Sequence, residues 1–80
     1  MKTINPTPTD LGAQVRRTRK AQKLRQDQLA GAAGVGLRFI VDLESGKPTV
    51  QLGTVLKVLD ALGCGVEITP PQDLRPGGNQ

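Results

Sequence analysis

The chain has 80 residues, a net charge of +4, a single cysteine and no histidine. That length suits one small domain with a modest core, and the missing histidine removes the commonest acid–base residue and metal ligand. With only Ser45 and Cys64 as serine or cysteine nucleophiles, and no base near either, the composition argues against an enzyme, a zinc site and an internal disulfide.

No apolar run approaches the roughly 20 residues of a membrane span. Met1–Pro6 lacks the hydrophobic region of a secretory leader. A cytoplasmic protein with no cofactor, no metal and no membrane partner is therefore expected.

In chain order, residues 1–7 read as a flexible arm leading into a helical domain over 8–63. Thr7 suits an N-cap, Pro8 the first helical position, and Asp10 the positive end of the helix dipole. The first helix should run from Pro8 to about Lys23. Leu11, Val15, Ala21 and Leu24 give it a thin apolar face, while Arg16, Arg17, Arg19, Lys20 and Lys23 load its other sides. No acid follows Asp10 until Asp27, so this charge cannot be balanced within the helix.

A second helix is expected over Gln26–Ala33 and a third over Leu37–Ser45, joined at Gly34-Val35-Gly36. Gly46 and Pro48 stop the third. A fourth begins near Thr49 or Val50 and ends near Leu62-Gly63. Leu52, Val55, Leu56, Leu59 and Leu62 form its expected buried stripe, with Val58 off centre. Cys64–Thr69 then alternates with period two, which predicts a short strand with Cys64, Val66 and Ile68 on one side. Pro70-Pro71 ends it, and residues 70–80, rich in Pro, Gly and polar groups, read as a flexible tail.

The second and third helices organise the rest. Ala30 leaves room for a helix to cross closely, and Gly34 supplies a left-handed residue four positions on. Leu29, Ala33, Val35, Ile40 and Leu43 close the pair. This is the spacing of a helix-turn-helix, whose second helix enters the DNA major groove. The charge is also uneven. Residues 1–40 carry eight Lys or Arg against two acids, whereas residues 41–80 carry three against five. A basic half beside such a motif suits a polyanion.

From about Leu11 to Leu62 the chain resembles the Xre/phage-repressor helix-turn-helix family. The resemblance is carried by Arg16, Arg19, Leu24, Gln26, Leu29-Ala30, Gly34-Val35, Ile40, Leu43-Glu44 and Gly46. The blocks Leu11–Lys20 and Phe39–Val50 look most like HipB-type antitoxins. The resemblance implies a mainly α, four-helix, lambda-repressor-like domain with one C-terminal β-strand after the last helix. A lone strand leaves unpaired backbone groups, so this one is expected to pair with its own copy across a dimer through Cys64, Val66 and Ile68. The resemblance also implies that Gln26 touches phosphate, that Leu37, Arg38 and Asp42 face the groove, and that Ser45 and Lys47 meet the DNA backbone. Arg19 and Glu44 match a structural ion pair.

Two positions depart from the family pattern. Arg25 stands where Ser or Thr usually caps the second helix and is read instead as a phosphate contact; Gly36 stands where a capping hydroxyl is common. The function expected is a dimeric, sequence-specific repressor that is also the antitoxin of a HipA-like kinase toxin. The alternatives are a stand-alone Xre-type repressor and a kinase-binding module with little DNA binding.

Overall fold

In a computed structural model, which describes residues 7–71, four helices follow in the order α1 (Pro8–Ala21), α2 (Gln26–Ala33), α3 (Leu37–Glu44) and α4 (Leu52–Ala61). The start of α1 is fixed by a reciprocal cap. The Asp10 N–H donates to Thr7 Oγ1 at 3.1 Å, and the Thr7 N–H donates to Asp10 Oδ2 at 3.3 Å.

All four helices end in one way. A residue with positive φ follows each last turn: Lys23, Gly34, Gly46 and Gly63. The next residue's N–H then reaches back five positions, Leu24 to Arg19, Val35 to Ala30, Lys47 to Asp42 and Cys64 to Leu59, at 2.9–3.1 Å. Lys23 is the one non-glycine among them, and it ends α1 two residues earlier than the sequence suggests. A left-handed lysine costs about 1–2 kcal/mol.

α3 packs against α1 and α2, and α2 packs against α4. Val15, Leu29, Ala30, Ile40, Leu43, Val55, Val58, Leu59 and Leu62 form the core, with Leu11, Leu24, Ala33, Val35 and Phe39 around it. Ala21, assigned above to the apolar face of α1, is exposed.

The fourth helix is rotated from its expected setting. Val58 is fully buried, whereas Leu52 and Leu56 are 69% and 45% exposed. At about 100° per residue, Val55, Val58, Leu59 and Leu62 straddle one line, and Leu56 is turned well off it. Contact with α2 selects the first line and leaves Leu52 overhanging at the helix start.

The expected strand is not formed. Residues 64–71 belong to no helix or strand, and beyond Cys64 none donates a backbone hydrogen bond among the described residues. Cys64 is half-buried on the core edge, but Val66 and Ile68 are exposed. The alternation is real, yet a strand is defined by a partner, and the described residues hold none for it. The expected arm and tail fall on residues 1–6 and 72–80, outside the described residues.

Candidate nucleic-acid interface

The third helix has two faces. Inwardly, Ile40 and Leu43 are buried and Phe39 packs on the core margin. Outwardly, Leu37, Arg38, Val41 and Ser45 are exposed, with Asp42 among them. The inner face is held by polar as well as apolar contacts. Arg19 Nε and Nη2 donate to the two carboxylate oxygens of Glu44 at 2.6 and 2.9 Å, a bidentate pair with both side chains under 10% exposed. That hydrogen bond raises the Arg19 pKa further above its already high ordinary value, against the opposing effect of burial.

Arg19 Nη1 donates to the Leu24 carbonyl at 2.8 Å, so one guanidinium joins α1, the α1–α2 turn and the end of α3. Gln26 adds a third partner, its Nε2 donating to Glu44 Oε1 at 3.2 Å. Among the described residues no buried side-chain N or O is left without a partner.

The approach of α1 to α3 depends on a residue absent from the sequence-derived site. A Cβ on Gly12 would overlap the Leu43 carbonyl oxygen and stand 3.0 Å from that of Glu44. Only a glycine lets the two backbones meet there. One turn later, Gly46 abuts Thr9, so the end of α3 lies against the start of α1. Gln22 Nε2 ties the end of α1 to the Leu62 carbonyl at 2.8 Å.

The structure places the residues assigned to DNA contact in two groups. Leu37, Arg38, Asp42 and Ser45 lie on the outer face of α3, and Lys47 follows the Gly46 turn beside them. Asp42 is not a free acid. Its Oδ1 stands 3.2 Å from Arg38 Nε and its Oδ2 stands 3.6 Å from Lys47 Nζ. The Ser45 hydroxyl donates to the Asp42 carbonyl at 2.9 Å.

Arg25 and Gln26 form the second group, at the start of α2. Arg25 is exposed and pairs with Asp27 at 3.0 Å. Its hydrogen bond holds the Asp27 carboxyl below the usual carboxylate range. The Gln28 side chain accepts the Arg25 N–H at 2.8 Å, which supplies half of a cap; a guanidinium, having no acceptor, cannot supply the other half. The Gln26 amide donates to Glu44, so this side chain links the start of α2 to the end of α3.

Val41 was missed. It is 37% exposed, one turn after Leu37, so the outer face offers an apolar pair of the kind that meets thymine methyl groups. Its spacing from Leu37, off the Ile40–Leu43 stripe, was the available signal. Of the residues assigned to a dimer interface, Cys64 is half-buried at the core edge, whereas Val66 and Ile68 are exposed in the single chain. No group of three metal-ligating residues occurs among the described residues, and no helix there is long and apolar enough to cross a membrane.

Two short helices meet across a left-handed turn, and the second presents a bare outer face beside the start of the first. This arrangement is a helix-turn-helix. The chain belongs to the helix-turn-helix domain family, whose model matches residues 10–69.

It is 65% identical over 69 residues to the "uncharacterized HTH-type transcriptional regulator y4mF" of Sinorhizobium fredii (strain NBRC 101917 / NGR234), spanning 86% of this chain and 91% of that protein. Among solved structures it is similar in fold to a HipB–O4 20-mer complex and to a HipA–HipB–O2–O3 complex. Each match has a TM-score of 0.76 and 23% identity, and covers 88% of this chain and 97% of the other.

Proposed function

We propose that this protein is a cytoplasmic, sequence-specific transcriptional repressor that binds double-stranded operator DNA as a homodimer and serves as the antitoxin of a HipA-like kinase. The observation that carries the DNA-binding part is the outer face of α3, rigidly backed and bare, with Arg38 as its long cation. An arginine there can donate two hydrogen bonds to one guanine. Arg16 follows Gly12 by one turn and Lys20 follows Arg16 by another, so exposed cations border the side of α1 that meets α3. They and Lys47 are placed for phosphates.

A twofold dimer would set two copies of α3 about 34 Å apart, in successive major grooves. The segment 64–69 provides a means of joining them. Beyond the Cys64 N–H its backbone donors are unpaired among the described residues, and Val66 and Ile68 are bare, so pairing with its own copy would complete the strand the alternation suggests. Val66→Pro removes a ladder donor and should convert a dimer to a monomer in analytical ultracentrifugation while weakening operator binding. A dimer that keeps full affinity would place the interface elsewhere.

The antitoxin part is supported by the HipB-type sequence blocks and by the fold shared with HipB in complex with HipA. The similarity to a protein described as a transcriptional regulator favours a second reading, a repressor with no toxin. Co-expression with the neighbouring reading frame separates the two: a stable complex with a kinase-like product supports the antitoxin, and its absence on gel filtration leaves the stand-alone repressor. For DNA binding itself, selection from random duplexes should enrich one twofold-symmetric site whose affinity falls steeply with salt. Failure to enrich any sequence would contradict the proposal.

A further inference from the structure

Asp42 is an acid on the face proposed to meet a polyanion, and the core does not need it. Its side chain is only one-fifth exposed, and cations flank the carboxylate on both sides. Arg38 lies one turn earlier on α3 and presents Nε to Oδ1. Lys47 lies beyond the Gly46 turn, returns its ammonium to Oδ2, and donates its own N–H to the Asp42 carbonyl at 3.1 Å. Asp42 thus holds both cations of this surface.

The closest approach to Asp42 is made by Arg38 Nε. The end of the guanidinium, Nη1 and Nη2, is the edge that bonds N7 and O6 of guanine. The Arg38 side chain is otherwise 86% exposed, and an exposed arginine loses much rotamer freedom on binding. A carboxylate that already holds Nε reduces that loss and fixes where the fork points.

We propose that Asp42 is the positioning residue that sets guanine specificity through Arg38. It orients the Arg38 fork toward one guanine per half-site, and its negative charge opposes binding wherever that guanine is missing. The inference rests on the DNA-binding reading above and deepens it. The charge argument follows from the phosphate backbone: a carboxylate near it is repelled at every sequence, and only the Arg38–guanine contact offsets that repulsion. Direct reading of a cytosine amino group by Asp42 is the competing role. That role would have to compete with the two cations already beside the carboxylate, and it would govern a cytosine at another position instead of the Arg38 guanine.

The test uses the full chain and fluorescence anisotropy on a duplex selected from random sequence, together with every single base change in one half-site. Arg38→Ala should erase a guanine preference at one position. Asp42→Ala should reduce the preference at that same position by roughly five- to tenfold. It should also raise affinity for random duplex by roughly twofold, since one repulsive charge is gone. In the Arg38→Ala background, Asp42→Ala should change no base preference. Asp42→Asn, which keeps the shape and one acceptor oxygen, should fall between wild type and Asp42→Ala, and guards against loss through misfolding. Full guanine preference in both Asp42 variants, or loss of a cytosine preference at another position, overturns the inference alone. Absence of any preferred sequence for the wild-type chain overturns the DNA-binding reading with it.

Discussion

The two faces of α3 differ in almost every physical respect. The inner face is closed by Ile40, Leu43, the glycine contact at Gly12 and a buried Arg19–Glu44 pair extended by Gln26. The outer face of the same helix carries Leu37, Arg38 and Val41 in solvent, with Ser45 just past its end, and its charges are arranged around Asp42. A helix this short is marginal by itself and takes its stability from tertiary contacts. The difference teaches how a small domain holds a short helix rigidly while leaving one side of it bare. The inner face supplies rigidity and the outer face supplies chemistry, so substitutions on the two should move different observables.

Arg19→Ala is the strongest way to test the inner face. Removing one partner of a buried pair leaves Glu44 uncompensated and should cost about 3–5 kcal/mol, enough to unfold much of a small domain. Thermal and urea unfolding read it directly. A variant that loses DNA affinity at unchanged Tm would mean that Arg19 belongs to the outer surface instead. Gly12→Val should come next, at about 1–3 kcal/mol, because overpacking pushes α1 away from the Leu43 and Glu44 carbonyls. A variant with wild-type stability would show that the two helices can separate freely.

On the outer face the signs reverse. Arg38→Ala should leave the unfolding free energy within about 0.5 kcal/mol of wild type. It should weaken operator binding by about 1–3 kcal/mol and relax preference at one base position per half-site. Equal losses on operator and random DNA would make Arg38 a phosphate contact.

The smallest effect belongs to the exposed Arg25–Asp27 pair at the start of α2. The Asp27 carboxyl is held below its ordinary value by the Arg25 hydrogen bond, so its contribution is present above the unfolded carboxylate range and disappears as pH falls through the folded value. Asp27→Asn should lower stability slightly near pH 7 and not at all at strongly acid pH. A difference that persists in acid would show that the ion pair is not its source.

What the sequence discloses and what it hides follows the same division. Gly34, Ala30, Ile40 and Leu43 announce the helix pair because turn chemistry and helix period are local properties. The rotation of α4 is not local: Leu52, Val55, Leu56, Val58, Leu59 and Leu62 fit two overlapping stripes, and only contact with α2 chooses the one containing Val58. Gly12 reads as a weak point in a helix until the carbonyls of α3 are seen above it. The period-two run at 64–69 states which side chains would share a face but not whether a partner is present. At the outer face, the residue types of Leu37, Arg38 and Asp42 were legible through the family resemblance. The bridge from Asp42 to Lys47 was not, since it depends on the direction the chain takes after Gly46.

The central claim is that the outer face of α3 is the DNA-reading surface. Amide chemical-shift mapping of the 80-residue chain during titration with a selected 20-base-pair duplex tests it most directly. The account predicts the largest shifts at Gln26, Leu37, Arg38, Val41, Asp42, Ser45 and Lys47, with smaller ones along Arg16 and Lys20. Shifts concentrated instead at Leu52 and Leu56 on α4, with Leu37–Asp42 unmoved, would contradict it.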